Sequence, residues 1–150
     1  MDIRKMIPED APEAAELERL CFADPWSEQA LRESCTDPLY RIFVVCDDNR
    51  VIGYAGMIVT GEEVQITNVA VHPEKRRLGV GRMLMKALIS EAESVGGRVM
   101  FLEVRVHNEG AIRLYEQCGF VSVGVRKNFY SHPTEDGCIY QKTLDRPDGE

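Results

Sequence analysis

The feature that most constrains the fold is a glycine-containing loop between a strand pattern and a helical pattern. The loop, Arg76–Arg82 (R-R-L-G-V-G-R), follows the apolar stretch Val64–Val71 and precedes apolar residues that recur at helical spacing. Glycines let a ligand approach the backbone, and free N–H groups at a helix start favour an anion. The loop is neither a Walker sequence nor G-x-G-x-x-G. Taken alone, it is either a phosphate-binding loop, with charge added by Arg77 and Arg82, or a turn that only begins a helix.

The order of strand and helix patterns predicts an α+β fold. The strand candidates are Ile3–Met6, Arg41–Cys46, Val51–Val59, Val64–Val71, Val99–Val106, Phe120–Val125 and Cys138–Leu144. Short turns join the second, third and fourth of them, which favours an antiparallel meander. Helices are expected after the caps Asp10 (with Glu13), Ser27 and Asn108, and after the glycine loop. The helix after the loop connects two strands, which should be parallel and joined by a right-handed crossover.

Length and composition favour a single domain without a targeting segment. The 150 residues fit one core, expected over residues 1–144 and followed by a polar tail at 145–150. No apolar run approaches the ~20 residues that span a bilayer. Met1–Asp10 carry acids where a signal peptide has an apolar region. We therefore expect a cytoplasmic protein that does not bind membranes.

Charge and cysteine content narrow the range of partners. The formal net charge of −7 argues against direct nucleic-acid binding, which depends mostly on Lys and Arg. It fits a cationic partner such as an amine or a basic peptide, although acidic surfaces also serve solubility alone.

The five cysteines include no C-x-x-C pair. We expect them to be small buried apolar residues, and no metal site is predicted.

Several motifs together resemble the Gcn5-related N-acetyltransferase superfamily. The R-x-x-G-x-G pattern of the loop, after Asn68–Val71, looks like the pyrophosphate-binding motif of that superfamily. The segments that resemble its ribosomal-protein-alanine N-terminal acetyltransferases are Phe22 with Pro25–Glu28, Leu102–Arg105, Asn108, Ala111–Ile112, Leu114–Glu116, Gly119–Phe120, Arg126, Asn128–Tyr130 and Asp136. The resemblance covers nearly the whole chain and implies a mixed, mostly antiparallel sheet of about seven strands with flanking helices.

The resemblance also implies where acetyl-coenzyme A binds as a co-substrate. The backbone of Val69, Ala70 and Val71 should pair with the pantetheine arm as a neighbouring strand would. The residues that should hold the pyrophosphate are Arg77, Leu78, Gly79, Val80, Gly81 and Arg82. Asn108 should hydrogen-bond the cofactor. From the residues alone Asn108 is a plain helix N-cap, and the two roles are compatible.

Glu103 and Tyr115 are the two candidates for acid–base chemistry. Glu103 interrupts an apolar strand, where a charge is costly unless it is paired or functional. The residues alone leave open a salt bridge to Arg105, on the same face, and a functional carboxylate. Tyr115 lies on the apolar side of its helix, where a core tyrosine is the simpler interpretation. The resemblance implies that Glu103 is the general base and that Tyr115 is the general acid for the departing thiolate.

The acceptor is implied by the resemblance. It is the α-amine of an N-terminal alanine on a small-subunit ribosomal protein, and Tyr130 is expected to line the peptide site. His107 stands where the family more often has a small polar residue, which leaves a change in the acceptor site open. The alternatives are acetylation of a lysine side chain or a small amine, and a coenzyme-A-binding regulatory module without turnover. The presence of both Glu103 and Tyr115 argues against the regulatory module.

Overall fold

The architecture is one mixed sheet with helices on both faces, and the computed structural model describes residues 1–145. Within these residues the elements are β1 (Asp2–Lys5), α1 (Ala11–Cys21), α2 (Glu28–Cys35), β2 (Tyr40–Asp47), β3 (Arg50–Thr60), β4 (Glu63–Val71), α3 (Val80–Ser94), β5 (Val99–Arg105), α4 (Glu109–Gln117), β6 (Val121–Tyr130) and β7 (Glu135–Thr143). The predicted α+β class is confirmed. Of the predicted tail at 145–150, only Asp145 lies within the described residues.

The strands form a single sheet in the order β1-β2-β3-β4-β5-β7-β6. Every neighbouring pair is antiparallel except β4 and β5, which are parallel and are connected through α3. The predicted meander and the predicted parallel pair are therefore confirmed. No helix among residues 1–145 is long and apolar enough to cross a membrane.

β4 and β5 pair only over the first part of their length. Their parallel register begins at Glu63 and ends at Gln65. On the β3 side of β4, Thr67 is an extra residue in the register between Ile66 and Asn68. A bulge of this kind bends and twists its strand. The sheet is consequently open between the last residues of β4 and those of β5.

Two apolar cores lie on opposite faces of the sheet. The larger core combines Val80, Leu84, Met85 and Leu88 of α3 with Tyr115, Phe120, Met100, Leu102 and Val104. The smaller core combines Ala11, Ala14 and Leu17 of α1 with Leu31 of α2 and with Ile42, Val44 and Tyr54. Successive side chains of a strand point to opposite faces, so Val44 and Val45 enter different cores. By the same alternation Glu103 lies on the face opposite the larger core.

Two of the three predicted helix caps, Ser27 and Asn108, are confirmed. The prediction that the Asp10 side chain caps α1 is wrong. The Ser27 hydroxyl accepts from the N–H of Ala30, and the Asn108 side chain accepts from the N–H of Ala111. Asp10 precedes α1 but does not cap it, because a short 3₁₀ turn comes first. The Asp10 carboxylate instead accepts from the Ile7 N–H and from the Arg4 guanidinium.

The last hairpin is longer than the sequence pattern predicts. β6 continues to Tyr130 and β7 begins at Glu135, and these two residues pair directly. The residues that first extend β6 beyond Val125, namely Arg126, Lys127 and Asn128, are polar and exposed, so no apolar alternation marks this stretch as strand. Pairing with β7 at Arg126 and Tyr130 continues the strand across an irregular stretch, in which Asn128 has φ +54°.

Candidate active site

A cleft of about 740 Å³ lies where the end of β4 meets the starts of α3 and α4. The predicted site residues that line it are Val69, Ala70, Val71, Arg77, Gly79, Val80, Gly81, Arg82, Asn108 and Tyr115. Three others, Leu78, Glu103 and Tyr130, do not line it. Leu78 lies in the glycine loop, and its side chain is 55% exposed. The loop, strand and helix candidates thus meet at one opening of the sheet.

The glycine loop presents the start of α3 to the cleft. Gly79 is the N-cap residue of α3 with φ +84°, and no side chain in the described part of the chain caps this helix end. The first N–H groups of α3 are therefore available to an anion, which the helix dipole also favours. A Cβ on Gly79 would meet no atom within 4 Å, whereas one on Gly81 would lie 2.9 Å from Leu114 Cδ2. A glycine is therefore favoured at position 79 because of its positive φ, and at position 81 because α4 packs too closely for a side chain.

Arginines surround this helix end. Arg77 has φ +67°, which places a non-glycine residue in the left-handed region beside Gly79. Arg82 Nη2 donates to Gln117 Oε1 at 2.6 Å, so α4 holds its guanidinium at the cleft. Arg76, which the sequence analysis did not assign, also lines the cleft, and its Nη2 lies 3.6 Å from Cys21 Sγ. The cleft combines uncapped N–H groups with four arginine side chains, the fourth being Arg113 of α4.

The edge of β4 at Val69–Val71 forms the wall of the cleft. These residues pair with β3 on one side, but the register with β5 has already ended at Gln65. Within residues 1–145, their backbone groups on the β5 side therefore have no strand partner. Cys21 Sγ donates to the Val71 carbonyl at 3.4 Å. An extended ligand can add to such an edge as a further strand does.

Asn108 and Tyr115 contribute the α4 side of the cleft. Asn108 is exposed and caps α4 through the N–H of Ala111, at 3.2 Å. Tyr115 is only 8% exposed and belongs to the larger core, yet it also lines the cleft. Burial, followed by the neighbouring Tyr130 phenol, raises the pKa of Tyr115 above its usual range. The two interpretations of Tyr115, core residue and site residue, are therefore compatible.

Glu103 has one carboxylate oxygen with no hydrogen-bond partner among the described residues. This atom, Oε2, is buried, whereas Oε1 lies 3.8 Å from Nη2 of Arg126. The alternative of a salt bridge to Arg105 is wrong, because Arg105 instead contacts Glu135, at 3.2 Å. An unpaired buried acceptor is uncommon in a folded protein. A carboxylate in this state is ready to accept a proton or a hydrogen bond from a ligand.

Tyr130 lies at the end of β6, where the Glu103 charge acts on its phenol. Burial, followed by the Glu103 charge, raises the pKa of Tyr130 to about 12. The Arg105 guanidinium stacks over the Tyr130 ring at 4.6 Å from its centroid. Tyr130 does not line the cleft. Glu103 and Tyr130 therefore form a second group on the opposite face of β5 from the larger core.

Glu18 is a buried polar residue that the sequence analysis missed. It is 1% exposed, and its Oε1 accepts from the Trp26 N–H at 2.7 Å. Its Oε2 accepts from the Tyr54 hydroxyl and from Asn68 Nδ2. This carboxylate joins α1 to the residue that precedes Val69. Helical spacing could have predicted that Glu18 is buried. It follows Ala11, Ala14 and Ala15 on the buried side of α1.

Comparison with known proteins places the chain among acetyltransferases. Residues 11–120 match the acetyltransferase (GNAT) family. The ribosomal protein bS18-alanine N-acetyltransferase of Salmonella typhimurium is 38% identical over 128 residues, which cover 85% of this chain and 84% of that protein. The crystal structure of the ribosomal-protein-S18-alanine N-acetyltransferase from Escherichia coli matches with a TM-score of 0.87 at 32% identity, covering 95% of this chain and 93% of that one. A Salmonella typhimurium structure solved with acetyl-CoA matches at 0.82 and 25% identity, covering 97% and 95% of the two chains.

Proposed function

The chain belongs to the acetyltransferase (GNAT) family, and we propose that it moves the acetyl group of acetyl-coenzyme A to the α-amine of an N-terminal alanine on a small-subunit ribosomal protein. The predicted superfamily and enzyme class are confirmed by the family match and by the relatives. The observation that carries the proposal is the cleft that joins an unpaired strand edge to an uncapped helix start.

The cleft fits the chemistry of acetyl-coenzyme A. The first N–H groups of α3 and the guanidinium groups of Arg77 and Arg82 suit a pyrophosphate. The free edge at Val69–Val71 suits an extended arm that contains amide groups. N–H groups of the same edge are the proposed donors to the negative charge that develops on the carbonyl oxygen during transfer. When bound, this co-substrate supplies the activated acetyl group.

Glu103 is the proposed general base. An α-amine has a pKa near 7.7–8.0, so roughly a quarter of it is neutral at about pH 7.4. It therefore needs only a modestly basic group, acting directly or through water. The unpaired Oε2 of Glu103 supports this role, since it can accept the amine proton without first breaking a protein hydrogen bond.

Tyr115 is the proposed general acid. Its raised pKa keeps the hydroxyl protonated throughout the neutral range. Donation to a thiolate, whose conjugate acid has a pKa around 8.5, is uphill. A fixed position of the donor beside the leaving sulfur offsets much of this difference. The place of Tyr115 in the cleft lining supports the assignment.

The acceptor is proposed from the relatives and from charge. The relatives named above are described as alanine N-acetyltransferases of a ribosomal protein. A chain with net charge −7 also attracts a basic acceptor over long range. No observation in the structure favours the alternative acceptors, a lysine side chain or a small amine.

The deciding experiment compares two peptides of matched composition. One has a free N-terminal alanine, and the other has a blocked N-terminus and an internal lysine. We expect steady-state acetyl transfer to the first peptide only. Equal transfer to the blocked peptide would exclude specificity for the N-terminal amine. In that case, mass spectrometry of cells that lack the protein should find no ribosomal N-terminus with reduced acetylation.

A further inference from the structure

We propose that Arg105 is a positioning residue that holds the β6–β7 loop, residues 131–134, and the Tyr130 ring in place as the acceptor side of the site. This inference rests on the proposed function and deepens it. It concerns a residue to which the sequence analysis gave no role beyond an alternative ion pair with Glu103 and a place in the family-like segment Leu102–Arg105.

The contacts of Arg105 converge on one loop. Its Nη2 donates to the Ser131 carbonyl at 2.9 Å, and its Nη1 donates to the Pro133 carbonyl at 2.9 Å. Nη1 also contacts Glu135 Oε1 at 3.2 Å. The same guanidinium stacks over the Tyr130 ring at 4.6 Å. Only the planar fork of an arginine can satisfy this set of partners at once.

Glu135 extends the clamp to the start of α4. Its second oxygen, Oε2, accepts from the His107 backbone N–H at 2.9 Å and lies 3.0 Å from His107 Nδ1. His107 directly precedes Asn108, which lines the cleft. The Arg105–Glu135–His107 chain therefore connects the β6–β7 loop to the cofactor side. This connection gives a structural account of His107, which the sequence analysis left open.

The clamped loop borders Glu103 and a second loop. Arg105 lies two residues after Glu103 on the same face of β5, and its guanidinium stacks over the Tyr130 ring. His132 Nδ1 lies 3.3 Å from Asp24 in the connection between α1 and α2. We place the path of the acceptor amine to Glu103 between these two segments. The position of the loop therefore bears on acceptor binding more than on cofactor binding.

The test uses Arg105→Gln, Arg105→Lys and a matched control. Arg98→Gln is the control, because Arg98 precedes the same strand and pairs with Glu62 at 3.2 Å, at the end of β5 remote from Glu103. Steady-state kinetics with the alanine peptide give KM and kcat, calorimetry gives acetyl-coenzyme-A affinity, and melting gives stability. Hydrogen exchange of residues 126–137 reports on the loop without any acceptor.

We expect Arg105→Gln to raise the peptide KM by roughly tenfold or more, since charged hydrogen bonds are among the stronger ones. Acetyl-coenzyme-A affinity should stay within about twofold, and loop exchange should accelerate. Arg105→Lys should recover only part of the KM, and Arg98→Gln should change neither KM nor exchange. An unchanged KM in a folded Arg105→Gln variant overturns the proposal, as does unchanged loop exchange. If the unmutated enzyme fails to acetylate the peptide, the proposed function fails, and the exchange measurement still decides whether Arg105 holds the loop.

Discussion

At the scale of single residues, the state of the Glu103 carboxylate leads to a direct kinetic prediction. Glu103→Gln should lower kcat by about 10²-fold, the low end for loss of a general base, because the α-amine is already partly neutral. The defect should shrink as the pH rises through the pKa of the amine, near 7.7–8.0, since the amine then loses its proton unaided. The measurement is the pH profile of acetyl transfer at saturating acetyl-coenzyme A.

A carboxylate outside the site gives the control for this prediction. Glu62 is exposed and pairs with Arg98 at the end of β5 remote from Glu103, so Glu62→Gln should leave the pH profile unchanged. A Glu103→Gln defect that stays constant with pH would contradict a base and indicate a positioning role for the side chain.

A single substitution at Tyr115 can separate the packing of its ring from the chemistry of its hydroxyl. Tyr115→Phe keeps the buried ring, and no hydrogen bond among the described residues involves the hydroxyl. The melting temperature should therefore barely move. Turnover should fall by ~10²-fold or more if the hydroxyl protonates the leaving thiolate. Steady-state transfer and thermal melting of the same preparation test both expectations.

Tyr140→Phe is the matched control for Tyr115→Phe. Tyr140 is also buried, its hydroxyl donates to Glu116 at 3.2 Å, and neither of these two residues lines the cleft. Its loss should lower stability by about 0.5–1.5 kcal/mol and leave turnover near normal. Near-normal turnover in Tyr115→Phe would remove this hydroxyl from the mechanism.

At the scale of elements, the loop before α3 predicts a loss of cofactor affinity. Gly79→Val places a β-branched residue at φ +84°, which a side chain avoids, and so disturbs the N–H groups that begin α3. Acetyl-coenzyme-A affinity should fall by at least roughly tenfold. Gly81→Val should have a similar effect through displacement of Leu114. Calorimetry on the folded variants measures both.

Gly61 provides the control for backbone strain. It has φ +67° in the turn between β3 and β4, where a Cβ would also meet no atom within 4 Å. Gly61→Val should therefore destabilise the protein by an amount similar to Gly79→Val and leave cofactor affinity intact. Equal loss of affinity in both variants would mean that general destabilisation, not the loop, explains the result.

At the scale of the whole molecule, local patterns predicted the elements and the chain order predicted how most of them pair. Helical spacing after the glycine loop and the strand that follows it were sufficient for the parallel β4–β5 pair. The caps at Ser27 and Asn108 depend on residues only three positions apart, so the sequence contains the whole interaction. These are the features that short-range physical chemistry determines.

The features that sequence reasoning missed depend on contacts between distant residues. Glu103 and Arg105 share a face, yet Arg105 turns to Glu135, 30 positions further along the chain. Glu18 finds Tyr54 and Asn68 on strands that α1 reaches only in the folded protein. The separation of β4 from β5 follows an extra residue at Thr67, which no apolar pattern marks. Partner choice and strand bending are therefore tertiary properties.

The distribution of charge over the molecule predicts how acetyl transfer responds to salt. The chain has net charge −7, while Arg76, Arg77 and Arg82 concentrate positive charge at the cleft. A basic acceptor peptide should thus be attracted by the molecule as a whole, and salt should screen this attraction. We expect kcat/KM for an alanine peptide rich in Lys and Arg to fall severalfold between about 0.05 and 0.5 M salt. The fall should come from a higher KM and not from a lower kcat, since salt weakens the encounter of enzyme and peptide and does not act on the chemical step. A neutral peptide with the same N-terminal residue, measured at saturating acetyl-coenzyme A, should change by less than about twofold. The same salt dependence for both peptides would contradict electrostatic attraction of the acceptor.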